Sequence, residues 1–321
     1  MLKAVILFIV GLVLLIKGGD WFVDGASDIA HDLHIPELLI GATIVSIGTT
    51  LPEVMVSATS ALAGHGELAY GNAIGSIICN TSLVAALTIA IKPAPVDIKE
   101  LRTPVLFFFG TAAFYSIVAY ATGTFTRTVG IVLILTFVAY ITISTLQMKK
   151  KPNAEEPDEE IVDLPLWQAL LYLVLGGACI AIGANLLVNN GTIIAQQLGV
   201  PESVIALTFV ALGTSLPELV TAITSLAKGY GALSLGNVIG ANLFNLVLVV
   251  GVSSALAPFP IPHNELFETG LNTSLAVEIP VMLGVMLILI LPALIRKKLS
   301  RVQGIALLLI YACFCVFQFM M

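Results

Sequence analysis

Ten long apolar stretches leave this chain very few ways to fold. A helix needs about 20 apolar residues to cross the hydrocarbon core of a bilayer. Stretches of that order cover residues 2–28, 38–63, 71–91, 103–122, 128–147, 166–196, 203–227, 233–257, 275–295 and 302–320. Lipid offers the backbone no hydrogen-bond partners, so such segments satisfy their own N–H and C=O groups and must be helices. The expected fold class is an all-α polytopic membrane protein with ten transmembrane helices. The 321 residues are 58% hydrophobic and only 11% charged, far more apolar than a soluble domain. The formal charge of −6 resides almost wholly in short connectors. It carries no sign of a nucleic-acid partner, and no protein partner is indicated.

Charge placement gives an orientation. With the N-terminus outside, the inner connectors carry Lys92, Lys99, Arg102, Lys149, Lys150, Lys151, Lys228, Arg296, Lys297, Lys298 and Arg301, and the outer ones only Lys3 and Arg127. Lys17 falls within the first span. This bias puts both termini on the extracytoplasmic side of an inner or plasma membrane. The apolar run after Lys3 passes into Lys17-Gly18-Gly19-Asp20 with no small-residue cleavage pattern, so it reads as a retained helix and not a signal peptide. Cys79, Cys179, Cys313 and Cys315 fall inside apolar runs and read as packed thiols. His31, His34, His65 and His263 map to connectors, which argues against a soft-metal site.

The chain also repeats itself. Gly48-Thr49-Thr50-Leu51-Pro52-Glu53 returns as Gly213-Thr214-Ser215-Leu216-Pro217-Glu218, an offset of 218 − 53 = 165. The same offset pairs Pro36-Glu37 with Pro201-Glu202, Thr43 with Thr208, Thr59-Ser60 with Thr224-Ser225, Gly71-Asn72-x-Ile74-Gly75 with Gly236-Asn237-x-Ile239-Gly240, and Asn80 with Asn245. The matched residues are largely the polar ones, which apolar composition does not explain. Two five-helix units are expected, residues 1–148 and 165–321. Five is odd, so the second unit enters the membrane inverted, as in many secondary transporters. Between them, residues 149–164 form an acidic cytoplasmic linker. It lacks the spaced ligands and turn glycine of a calcium loop and is assigned no site.

Glu53 and Glu218 each fall near the middle of an apolar helix, where a carboxylate is costly and marks function by default. Pro52 and Pro217 lack the N–H that would bond the carbonyls of Gly48 and Gly213, so each helix is expected to break just before its glutamate and expose oxygen ligands. Thr49 and Thr214 precede the glutamates by four residues and can share their helix face. The third and eighth helices add Ser76, Asn80 and Asn245 as oxygen donors, while Gly71/Gly75 and Gly236/Gly240 let backbones approach closely. Two carboxylates among hard oxygens suit Ca²⁺. An ion channel is the first rival, disfavoured by the inverted repeat. An intramembrane hydrolase is the second, disfavoured because equivalent surroundings give the two acids no separate roles.

The paired motifs, with GNAIG and GNVIG following them, resemble the two alpha repeats of the calcium/cation antiporter superfamily, and most of all its prokaryotic sodium/calcium exchangers. The resemblance covers essentially the whole chain. It implies an antiporter and no enzyme, with Ca²⁺ and Na⁺ as transported ions, H⁺ as an alternative to Na⁺, and no cofactor. It further implies ligands from Thr49, Thr50, Glu53, Ser76 and Asn80 in the first half and from Thr214, Ser215 and Glu218 in the second, with main-chain carbonyls of Ser46 and Ala211. Asn245 stands where many members carry aspartate, and Ala241 where a serine would mirror Ser76. Both departures bear on Na⁺ and leave Ca²⁺/H⁺ exchange open.

Overall fold

The computed structural model describes residues 2–93, 95–150, 165–198, 215–262 and 270–320. In chain order the helices are α1 (Leu2–Asp32), α2 (Glu37–Leu62), α3 (Gly66–Ile91), α4 (Ile98–Thr122), α5 (Arg127–Lys150), α6 (Leu166–Gln197), α7 (Leu216–Ala227), α8 (Gly231–Leu256), α9 (Ser274–Arg296) and α10 (Arg301–Met320). Among the described residues, nine of them are long and apolar enough to cross a membrane, and α7 is shorter. The start of the expected seventh span, residues 203–214, lies outside the described residues, as do residues 151–164 of the linker and His263.

Helices α3 and α4 begin five residues before their expected starts, 71 − 66 and 103 − 98. Glu67 in the first turn of α3 and Lys99, Glu100 and Arg102 at the start of α4 interrupt the apolar runs, so a count of apolar residues passes over these turns. Asp97 caps α4 by accepting the Lys99 N–H at 2.7 Å. Helix is joined by one short pair of antiparallel strands, β1 (Thr124–Phe125) and β2 (Phe259–Pro260).

The repeat is present in the backbone. Within α3, regular helix over Gly66–Cys79 gives way to a π-helical turn over Asn80–Ala85 and resumes over Ala86–Ile91. Within α8 the same sequence runs Gly231–Phe244, Asn245–Val250 and Gly251–Leu256, each bound shifted by 165. The turn before each helix repeats as well, with Gly64 and Gly229 both at φ 89°. Equivalent helices run in opposite directions. In α1 and α6, a Cβ on Gly11 would lie 2.8 Å from the Gly183 carbonyl, one on Gly18 2.9 Å from that of Gly176, and one on Gly25 against that of Ala169. The contacts advance along α1 as they retreat along α6, so the two units are inverted.

Connectors meet at each end of the bundle. At one end β1 pairs with β2, and Phe125 lies against Phe259 with ring centroids 5.6 Å apart. At the other, the Val96 N–H donates to the Lys297 carbonyl at 3.0 Å, and Lys228 pairs with Asp24 at 2.7 Å. One apolar core joins α3, α4, α5, α8, α9 and α10, and a second joins α1 and α6 to the start of α2. Helices α2 and α7, which carry Glu53 and Glu218, lie where the two cores meet.

Candidate cation site

Helix α2 departs from the expected break. It runs through Pro52 without interruption, and its irregularity lies upstream, where Gly41–Val45 is π-helical just before Ser46. A proline in a membrane helix removes one backbone bond, which nearby polar groups can replace, so the break is not obligatory. The second half differs. Helix α7 starts at Leu216 with Pro217 in its first turn, directly before Glu218. Residues 199–214 before it lie outside the described residues, and with them Thr214 and Ala211.

Glu53 and Glu218 are both 0% exposed, and their charges are near enough to act on each other. Neither carboxylate has a hydrogen-bond partner for either oxygen among the described residues. The Thr49 hydroxyl of α2 lies beside the Glu218 carboxylate, which ties the two halves together. Thr50, Ser76, Asn80, Ser215 and Asn245 are all buried. Among the described residues, Thr50 (Oγ1), Asn80 (Oδ1), Ser215 (Oγ) and Asn245 (Oδ1) have oxygens without a hydrogen-bond partner. Asn245 donates its Nδ2 to the Ala241 carbonyl at 3.0 Å, which leaves the oxygen as its free end. The Ser46 carbonyl lies 3.4 Å from the Thr49 hydroxyl, and the Ser46 hydroxyl donates to the Gly41 carbonyl at 2.7 Å. Ion pairs among the described residues join Lys17 and Lys228 to Asp20 and Asp24, and none reaches either glutamate.

Buried carboxylates without a counter-charge cost several kcal/mol each, and oxygens left unpaired around them add to it. A hard cation removes both costs at once. Among the described residues no group of three or more His, Cys, Asp or Glu side chains could hold a resident metal.

Sequence reasoning passed over the residues that hold these ligands. Asn237 of α8 receives the Ser46 and Thr49 hydroxyls, each at 3.3 Å from its Oδ1. Its repeat mate Asn72 instead donates to the Ser57 hydroxyl at 2.9 Å and to the Glu53 carbonyl at 3.5 Å. The signal was in the GN dipeptides, which stood out only as repeat markers. Thr81, Asn242 and Met286 join α3, α8 and α9, with Asn242 Nδ2 donating to Thr81 Oγ1 at 2.8 Å. The repeated glycines divide in the same way. A Cβ on Gly236 or Gly240 would strike the backbone of Leu38 or Ala42, whereas Gly71 and Gly75 meet no described atom within 4 Å.

Inverted helix bundles that close on two buried carboxylates, with no ion-pair partner among the described residues, define a multi-pass membrane protein that carries cations. The chain belongs to the family of sodium/calcium exchanger proteins, whose model matches residues 3–146 and 168–320. It is thus a cation antiporter and not an enzyme. Sodium/calcium exchanger MaX1 of Methanosarcina acetivorans is 29% identical over 98% of both chains. Inner membrane protein YrbG of Escherichia coli is 35% identical over 80% of this chain and 81% of its own. The solved structure of the sodium-calcium exchanger NCX_Mj aligns with a TM-score of 0.81 at 31% identity, covering 98% of this chain and 97% of that one.

Proposed function

We propose that this chain exchanges Ca²⁺ for Na⁺ by alternating access, with Glu53 and Glu218 supplying the two charges that hold Ca²⁺ at mid-membrane. The observation that carries this reading is the pair of fully buried carboxylates whose four oxygens have no hydrogen-bond partner among the described residues. Ca²⁺ takes six to eight oxygens. The side chains of Thr49, Thr50, Ser76, Asn80, Ser215 and Asn245 supply further donors, joined by the Ser46 carbonyl and, from the second half, Thr214 and the Ala211 carbonyl. Na⁺ as the driving ion is supported by MaX1 and NCX_Mj, both named for sodium and calcium.

The two units, 1–148 and 165–321, move against each other around this site, and 149–164 links them on the cytoplasmic side. Both termini face outward from an inner or plasma membrane, an orientation supported by the cation bias of the connectors and, for the membrane, by the name of YrbG.

One observation favours a second reading. Asn245 offers an oxygen without a charge, so among the described residues Glu53 and Glu218 are the carboxylates at the site. A cycle that protonates both would exchange two H⁺ for one Ca²⁺ and move no net charge. Three Na⁺ against the same pair would move one charge, coupled to the membrane potential at about 2.3 kcal/mol per 100 mV. Ca²⁺ flux into proteoliposomes, driven by a Na⁺ gradient, a pH gradient or neither, separates the two. Flux that needs Na⁺ and responds to an imposed potential is the expected result. Flux that ignores both and collapses with the pH gradient would overturn Na⁺ coupling.

A further inference from the structure

A buried tyrosine on α5 reaches the helix that carries Glu53. Tyr140 is 0% exposed, and its hydroxyl donates to the Ala42 carbonyl of α2 at 2.8 Å. Ala42 lies in the π-helical turn Gly41–Val45, which runs directly into Ser46. In an unbroken α-helix the Ala42 carbonyl would accept the Ser46 N–H, four residues on. Here that N–H turns to the carbonyls of Gly41 and Thr43, and the tyrosine serves Ala42. A π-turn is one residue of slack in the hydrogen-bond ladder, and such turns recur at functional sites.

The ring is held as firmly as the hydroxyl. It meets Phe107 of α4 edge-on with centroids 5.3 Å apart, and Phe244 of α8 at 5.9 Å. Phe244 directly precedes Asn245. Gly240 of α8 packs on the same turn, since a Cβ there would lie 2.7 Å from the Ala42 oxygen and against the Ser46 hydroxyl. The repeat does not account for the tyrosine, because the position 165 residues on is Ile305, which is 53% exposed. Burial does not account for the bond either. Tyr115 is equally buried, and its hydroxyl has no hydrogen-bond partner among the described residues.

We propose that Tyr140 is a positioning residue of the exchange site, whose hydroxyl pins the π-turn of α2 so that the Ser46 carbonyl is aimed at the cation. The inference rests on the reading of that carbonyl as a ligand. A donor fixed on one carbonyl sets where the slack of the turn sits. The Ser46 carbonyl lies four residues beyond Ala42 on the same helix, with the Thr49 hydroxyl 3.4 Å from it. No water stands ready within the bilayer to replace a lost donor. Without the hydroxyl the turn relaxes by shifting its slack toward Ser46, which moves that oxygen and Thr49 together. Tyr140 itself touches no ion.

Initial rates of Ca²⁺ uptake into proteoliposomes holding the full chain, measured against Ca²⁺ concentration, test this. Tyr140→Phe removes one oxygen and keeps the ring between Phe107 and Phe244. It is expected to raise the half-saturating Ca²⁺ concentration about fivefold, as the loss of one hydrogen bond would, with the maximal rate kept. Para-aminophenylalanine at position 140 restores a donor and is expected to restore the half-saturating concentration. Tyr115→Phe removes a buried hydroxyl that positions nothing and is expected to leave it unchanged. An unchanged half-saturating concentration in Tyr140→Phe would overturn the proposal. Failure of that variant to fold would overturn it too, by making the hydroxyl a support of the core alone. Glu53→Gln in parallel keeps the two readings apart. If it abolishes uptake while Tyr140→Phe matches the unaltered chain, the two-carboxylate site stands and only the role of Tyr140 falls. Uptake retained in Glu53→Gln would remove the site that Tyr140 serves.

Discussion

Asn245 turns its amide nitrogen back to the Ala241 carbonyl and presents its oxygen with no charge behind it. Replacing it by aspartate adds a negative charge to the same corner of the site. Under Na⁺ coupling, Asn245→Asp is expected to lower the half-saturating Na⁺ concentration for Ca²⁺ efflux about tenfold, equivalent to roughly 1.4 kcal/mol. An unchanged Na⁺ dependence in proteoliposomes would remove Asn245 from the ion path. Asn237 acts one step further out, by receiving the hydroxyls of Ser46 and Thr49. Asn237→Ala leaves two buried hydroxyls without that acceptor, worth about 1 kcal/mol. Ca²⁺ affinity is expected to fall roughly fivefold while the protein stays folded, as size-exclusion chromatography in detergent would report. The glutamates were legible in the sequence because a carboxylate in an apolar run is costly enough to stand out alone. Asn237 was not, since an amide in a membrane helix is common and its partners lie 191 and 188 residues away in the chain.

The limits of the helices were legible where apolar runs define them, and less so where polar first turns extend α3 and α4. The π-turns were not legible at all, because they arise from packing and no residue pattern announces them. The prolines pointed to a break, whereas α2 runs through Pro52 and has its π-turn upstream of Ser46. The pairing of α1 with α6 gives a test at this scale. A Cβ on Gly18 would lie 2.8 Å from Cys179 Cβ and 2.9 Å from the Gly176 carbonyl, so a side chain there forces the helices apart. Gly18→Leu is expected to lower stability by about 1–3 kcal/mol, read as a lower midpoint of thermal unfolding in detergent. Gly110→Leu is the control, since no described atom lies within 4 Å of its Cβ position. Equal effects of the two would mean that the close α1–α6 approach does not carry stability.

For the whole molecule, the offset of 165 established duplication and the odd helix number established inversion before any coordinates, and the opposed glycines of α1 and α6 bear both out. The connectors meet in two groups, β1 with β2 at one end and the Lys297 segment with Val96 at the other. The second group lies among the cation-rich connectors, so that end should face the cytoplasm. A single cysteine at Asn153 is expected to react with a membrane-impermeant thiol reagent only from the cytoplasmic side, and labelling from outside intact cells would reverse the orientation. What the duplicated architecture brings together is two buried carboxyl side chains that belong to different halves, Glu53 on α2 and Glu218 on α7. Removing either should leave Ca²⁺ with an uncompensated charge inside the membrane, a cost of about 3–5 kcal/mol for a broken buried pair. Radiolabelled Ca²⁺ uptake into proteoliposomes by Glu53→Gln and Glu218→Gln, each compared with the unaltered chain at equal reconstituted amounts, measures this directly. Loss of at least a hundredfold in both, with folding retained, is the predicted result, and uptake close to that of the unaltered chain in either variant would contradict the two-carboxylate site.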